Sequence, residues 1–309
     1  MVTSRSPGAF ALSLLSLVAL LPAAGALAQD IEPRAYSNAP IGVNFLVAGY
    51  VRTEDGLSFD PALPIRNPDL RTQSALLGYG RVIDLWGTSG KVDVILPYTF
   101  LSGSADYREE RVDRVVDGLA DARVRLSVNL LGAPSLRLPE YRAYRQKLLV
   151  GASVIAWIPI GQYDPSRLVN IGANRWTVKG EIGASRAVRR WIFEVAGGTT
   201  FFSDNESFYG GSVREQAPLA SVQGSVIHAF RSGIWGSVSA MYWNGGRTTV
   251  DGQLDRNLQQ NWRLGGTLSF PIDLRHSVKA HYNSGVYART GNNYDAFGLA
   301  WQYRWGGGL

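Results

Sequence analysis

The chain has 309 residues, 18% of them charged, with 35 Gly, 11% aromatic residues, no Cys and a formal net charge of +6. The lack of Cys excludes disulfide scaffolds, thiolate metal sites, iron–sulfur clusters and cysteine nucleophiles, and a 45% hydrophobic content excludes a disordered chain. The basic residues are dispersed, with no run longer than Arg189-Arg190, so no nucleic-acid partner is expected.

Residues 1–28 read as a secretory signal peptide. Arg5 supplies the positive start, Ala9 to Leu21 the uncharged apolar stretch, and Ala26-Leu27-Ala28 the small-residue cleavage site, with cleavage after Ala28. Residues 29–40 are expected to form a periplasmic N-terminal segment, and residues 41–309 a barrel in the bacterial cell outer membrane. A spanning helix needs roughly 18 apolar residues in a row. The best candidate, Leu148 to Ile160, is shorter and is interrupted by Gly151, Ser153 and Pro159.

What the chain does show is alternation. Val124, Leu126, Val128 and Leu130 interleave with Arg123, Arg125, Ser127 and Asn129, and the row Phe297, Leu299, Trp301, Tyr303, Trp305 faces away from Gly298, Ala300, Gln302 and Arg304. Such segments run to about ten residues, the length that carries a tilted strand across the hydrocarbon, and aromatics recur near their ends as interfacial girdles require. Strands are predicted to start near Ile41, Gln73, Lys91, Ala122, Lys147, Asn174, Trp191, Leu219, Ile234, Gln260, Ser277 and Tyr294. The fold class is therefore all-β, a transmembrane antiparallel barrel of about twelve strands with short periplasmic turns and long extracellular loops.

The long loops are read at Leu101 to Leu119, Gly161 to Ala173, Ser203 to Pro218 and Asn244 to Gln259, while Leu131 to Gln146 breaks the pattern as a long connection on the short-turn side. The register of Ser74 to Ile83 stays open. Mixed charge between Asp106 and Asp117 reads as a solvated loop near lipopolysaccharide. Tyr163, Asp164, Asn170, Asn174 and Arg175 mark the Gly161 to Trp176 segment, either as an infolded binding loop or as a rigid hairpin cap.

Several stretches together resemble the family of outer-membrane transporters named for the meta-pathway of phenol degradation. They are Glu32-Pro33-Arg34-Ala35-Tyr36-Ser37-Asn38-Ala39-Pro40 with Gly42 and Asn44; Pro159-Ile160-Gly161-Gln162-Tyr163-Asp164; Leu168 to Trp176; Asp204-Asn205; Gln216-Ala217-Pro218-Leu219; and Gly245-Gly246-Arg247 with Asp251-Gly252. The resemblance implies an envelope barrel that passes hydrophobic or aromatic compounds. The final strand also resembles the signal read by the outer-membrane assembly machinery, although Gly306-Gly307-Gly308-Leu309 follows its last aromatic.

Alternation assigns Asp93, Arg123, Arg125, Lys179, Glu181, Glu194, Arg263, Lys279 and Arg304 to the lumen as pore-lining candidates. Arg263, Lys279 and Arg304 form a positive stripe that would favour anionic solutes; the alternative is a network that fills the bore. The expected function is passive uptake of small hydrophobic, aromatic or anionic compounds, with a structural or adhesion-type barrel as the alternative. The expected partners are outer-membrane lipid, lipopolysaccharide, the assembly machinery and a small-molecule solute.

No catalytic site, cofactor or metal site is expected. A barrel phospholipase would need Ser and His on one outer row, and Ser221 and Ser225 lie on the face opposite His228. Gly87-Thr88-Ser89-Gly90-Lys91 lacks the residues that complete a phosphate loop and reads as a turn.

Overall fold

The computed structural model describes residues 31–54, 65–107, 109–230, 233–290 and 293–309. The signal-peptide stretch, its cleavage site, Gln29 and Asp30 lie outside the described residues. In chain order the strands are β1 (Val43–Glu54), β2 (Ile65–Leu85), β3 (Thr88–Tyr107), β4 (Glu110–Leu119) and β5 (Ala122–Leu131), followed by the helix α1 (Leu138–Ala143). Next come β6 (Leu148–Ile158), β7 (Thr177–Val188), β8 (Trp191–Phe202), β9 (Asn205–Phe208), β10 (Ser212–Gln216), β11 (Leu219–Ala229) and β12 (Trp235–Gly245). The last are β13 (Thr248–Val250), β14 (Gln253–Leu254), β15 (Gln259–Pro271), β16 (His276–Ala288) and β17 (Asp295–Gly306).

The main sheet is antiparallel and closes on itself, because β1 pairs with both β2 and β17. β4 and β5 act as one stave: β3 pairs with β5 over Gly90–Ile95 and with β4 over Tyr98–Tyr107. Pro97 sits at the changeover. Its carbonyl accepts from Ala120 N–H at 2.9 Å, and on a strand the absent N–H belongs to that same side, so the ladder is interrupted where proline cannot donate. The result is a twelve-strand transmembrane barrel.

Its two faces are chemically inverted relative to a soluble sandwich. Val238, Ile182 and Leu264 are 69%, 63% and 47% exposed, whereas Asn261 and Arg263 are 0% and 1% exposed. Apolar side chains on the outside and polar ones within suit a lipid-facing wall around a polar lumen. Aromatic belts mark both rims. Trp301, Tyr303 and Trp305 stack in succession, with His276 against Trp301 and Tyr79 against Trp305, at the turn end. Tyr98 and Phe100, with Tyr242 and Trp262, mark the loop end.

Three expectations are corrected. Leu101 to Leu119 is no loop: β3 and β4 continue as a paired hairpin beyond the wall, with register unbroken from Tyr98–Leu119 to Tyr107–Glu110, so the charged stretch Asp106 to Asp117 is largely strand. The alternation simply outlasts the membrane. The loops after β8 and β12 carry β9, β10, β13 and β14, which form a small sheet of their own. Residues 31–40, the described part of the 29–40 segment expected in the periplasm, run inside the ring of strands, where their polar groups find partners on the inner faces of the wall. The Ser74 to Ile83 register resolves with Ser74 buried and Leu77 and Tyr79 outward.

The connection between β5 and β6 closes the turn end. Arg137 N–H donates to Glu140 at 2.9 Å at the start of α1, which opens with a proline in its first turn. Tyr141 Oη donates to Asn38 O at 2.9 Å, Asn38 donates to Pro134 O at 3.2 Å, and Ile41 N–H donates to Leu136 O at 2.9 Å. Leu309 and Ile41 pack on the cluster of Ala39, Val43, Phe45 and Val82, so the C-terminus meets the chain there just ahead of β1.

Candidate functional site: the occupied lumen

From that floor the N-terminal segment climbs through the bore. Tyr36 Oη donates to Glu181 on β7 at 3.0 Å, Arg34 N–H donates to Glu194 on β8 at 2.5 Å, and Glu32 N–H donates to Gln223 on β11 at 3.0 Å. Ile31 then packs beside Leu219, Met241 and Trp243. Each partner alternates inward from its strand, so the period-two pattern of the wall is what presents them to the segment.

The Tyr36 ring is seated by two glycines. Gly151 on β6 pairs with Gly183 on β7, and a Cβ at either would fall 2.3 or 2.2 Å from ring atoms of Tyr36. Any larger residue there would occupy the ring's place. Arg34 lies 5.2 Å from the ring centroid of Trp235, and Lys91 Nζ donates to Ala35 O at 3.2 Å.

Beside this ring lies a compact charge cluster. Glu32 bridges the guanidinium groups of Arg123 and Arg125. Arg123 also donates to Asp93 at 2.9 Å, Arg125 lies 3.7 Å from Glu181, and Lys179 donates to Glu181 at 2.6 Å. Ser127 and Ser153 accept further bonds from Arg125 at 2.9 and 3.0 Å. Both guanidinium groups are thus buried yet bonded, the condition under which buried charge is tolerated. One cavity between the segment and the wall, lined by Gly78, Gly80, Asp93, Arg123 and Arg125, measures about 30 Å³. That holds one or two waters and no organic solute.

The pore-lining candidates distribute as follows. Asp93, Arg123, Arg125, Lys179 and Glu181 meet at Glu32, while Glu194 takes the Arg34 N–H and the Ser185 hydroxyl, at 2.5 and 3.0 Å. Arg263, Lys279 and Arg304 do not gather. Arg263 lies opposite Gly285 on β16, six residues from Lys279, or roughly 20 Å along the strand. Its guanidinium lies 3.8 Å from the ring centroid of Tyr294. Arg304 is at the floor, donating to Leu274 O at 2.7 Å. These three string along the bore instead of forming one patch.

The Gly161 to Trp176 segment bonds mainly to itself and to the β8–β9 region. Asp164 N–H donates to Asn170 Oδ1 at 2.9 Å, and Asn170 Nδ2 donates back to Asp164 O at 3.0 Å. The Ser166 hydroxyl and N–H, at 2.7 and 2.9 Å, hold the Asp164 carboxyl below the usual carboxylate range. Tyr163 Oη donates to Ser207 O at 3.1 Å, and Asn174, at φ 52°, donates to Asn205 at 2.9 Å. Arg175 alone of the five turns to the bore, stacked 4.5 Å from the Phe202 ring centroid and donating to Gln216 at 2.5 Å. Asp121 fastens the base by accepting the N–H groups of Gly161 and Ala173, both at 2.9 Å.

Sequence reasoning missed Glu32, Tyr36 and Lys91. The first two lie in the Glu32 to Pro40 stretch that carries the family resemblance, and that stretch is the available signal; Lys91 enters the sequence reading only as a strand start and as the end of a turn motif, with no place in the lumen.

No curated protein matches the chain in sequence. Among solved structures, an outer membrane channel from Pseudomonas putida F1 is similar at 16% identity and a TM-score of 0.73, over 89% of this chain and 100% of that one. The β domain of the Bordetella autotransporter BrkA is similar at 12% identity and a TM-score of 0.46, over 86% of this chain and 100% of that one. The first likeness shows the same barrel fold. Residues 61–305 match the family described as "Putative MetA-pathway of phenol degradation", and this chain, a closed barrel with a segment of its own in the lumen, belongs to that family.

Proposed function

We propose that the protein is a passive, non-enzymatic outer-membrane conduit for small hydrophobic, aromatic or anionic compounds, closed at rest by residues 31–42. The carrying observation is that the bore is occupied by a chain segment held through hydrogen bonds, ion pairs and one seated ring, all of which can be exchanged without breaking the wall. A bore filled by wall side chains would have no such movable part. Purified protein in liposomes should admit benzoate or phenol faster than lipid alone, and Tyr36→Ala should raise both that uptake and the conductance in planar bilayers. If neither form conducts or admits these solutes, the conduit reading fails.

The structural-barrel reading draws on the same cavity of about 30 Å³. It requires the segment to stay seated permanently, and then Tyr36→Ala would lower stability and leave flux at the lipid background. His228, considered for a lipase-like site, stands between Trp191 and Phe230 with ring centroids 4.3 and 4.7 Å away. That setting supports a place in the interfacial belt.

A further inference from the structure

The segment brings its own anion into the bore. Among the six described side chains joined here by ion pairs, Arg123, Arg125 and Lys179 face Glu32, Asp93 and Glu181, and within this set positive and negative charges match only while Glu32 is in place. If residues 31–36 swing out, two buried guanidinium groups lose an acceptor and the cluster keeps an uncompensated positive charge. In a poorly hydrated site that is costly unless another anion arrives. The two arginines stand two residues apart on one face of β5 and already hold one carboxylate between them, an arrangement suited to the paired oxygens of such a group.

Space makes the two occupants mutually exclusive, since a cavity of about 30 Å³ beside the segment cannot admit a second carboxylate. The rest of the segment stays tethered: Asn38, Ile41 and Gly42 bond to Pro134, Leu136 and Val82, so only the stretch above them has to move. From this geometry we infer that Arg123 and Arg125 form an exchangeable site for a small organic carboxylate, with Glu32 as its resident ligand, and that an arriving carboxylate displaces Glu32 and undocks the segment. The inference rests on the conduit reading and adds to it the solute chemistry that opens the bore. A ligand that binds only the undocked state must shift the population toward that state.

The chain has no Cys, so Ala35→Cys gives a single thiol facing a cavity too small for a maleimide, and labelling then reports undocking. With benzoate at about ten times its dissociation constant, labelling should run about tenfold faster, while benzyl alcohol, the same ring without charge, should leave it unchanged. Glu32→Gln in the Ala35→Cys background should label faster without benzoate. Combined Arg123→Gln and Arg125→Gln should label fast whether or not benzoate is present. Heat-modifiable mobility in gels verifies that each barrel is folded.

The proposal is overturned if benzoate accelerates labelling in neither the Ala35→Cys protein nor its Glu32→Gln form, or if benzyl alcohol accelerates it equally. Liposome flux separates the two readings. Benzoate-dependent labelling without flux would sink the conduit and keep the site, whereas flux without benzoate-dependent labelling would sink the site and keep the conduit.

Discussion

Gly183→Ala is the sharpest probe of the seated segment. The new Cβ would stand 2.2 Å from Tyr36 Cε2, against an ordinary contact of at least 3.4 Å, so the ring must retreat by about 1.2 Å. Gly151 backs the other edge so closely that a Cβ there would fall 2.3 Å from the ring, which leaves little room for a sideways shift. Retreat along the remaining direction takes Tyr36 Oη out of reach of Glu181, 3.0 Å away in the native protein. Losing a hydrogen bond to a charged acceptor costs about 1.5–3 kcal/mol, and lost ring contact brings the total to about 2–4 kcal/mol. At 1.4 kcal/mol per decade, that is roughly a hundredfold more undocked protein.

Trypsin cleavage after Arg34, which is buried in the docked segment, follows that population when opening is fast relative to cutting. The cleavage rate should therefore rise roughly a hundredfold in Gly183→Ala. Tyr36→Ala should do the same, and the double variant should be no faster than Tyr36→Ala alone, because the methyl group then meets an empty slot. Additive effects in the double variant, or an unchanged rate in folded Gly183→Ala, would refute the seating argument.

Leu264→Arg, which faces outward from the middle of β15, should cost about 2–4 kcal/mol in refolding into vesicles; a cost near zero would contradict the lipid-facing assignment. Asp121→Ala should lower the thermal midpoint of the barrel by removing the shared acceptor of Gly161 and Ala173, a loss of about 3 kcal/mol, and hydrogen exchange at those two amides should accelerate. At the β15–β16 turn, the N–H groups of Arg275 and His276 hold the Asp273 carboxyl below its ordinary value of 3.8. Since the folded value is depressed, this contribution is present above 3.8 and lost as pH falls through the lower folded value. Hydrogen exchange at the turn should thus quicken only in acid, and Asp273→Asn should remove the pH dependence.

Strands whose two faces differ sharply were open to inspection. Ala122–Leu131 and Asp295–Gly306 alternate cleanly because one face meets lipid and the other meets polar groups, and the same alternation turned Arg123, Arg125, Lys179 and Glu181 inward before any contact was known. The β3–β4 extension was hidden for the converse reason: beyond the membrane both faces of the hairpin are wet, as the exposure of Glu110, Arg111, Val112 and Asp113 shows, so a charged strand there reads like a loop. The occupant of the lumen was illegible in another sense. Residues 31–42 have no period of their own, and their partners stand as far as 191 positions away. Alternation shows which way Arg125 points, yet it carries no information about which distant carboxylate arrives to meet it. Arg263, Lys279 and Arg304 could be assigned a face but not a common height, because relative height depends on strand stagger.

The separation between the segment and its anchors also orders assembly in time. Residues 32, 34 and 36 precede every stave, yet they bind to β7, β8 and β11, from the middle of the barrel, while the ring closes only when β17 reaches β1. Contacts spanning such chain lengths form late. The stretch that leads the described chain therefore has nothing in the bore to hold until β7, β8 and β11, all made well after it, are in place.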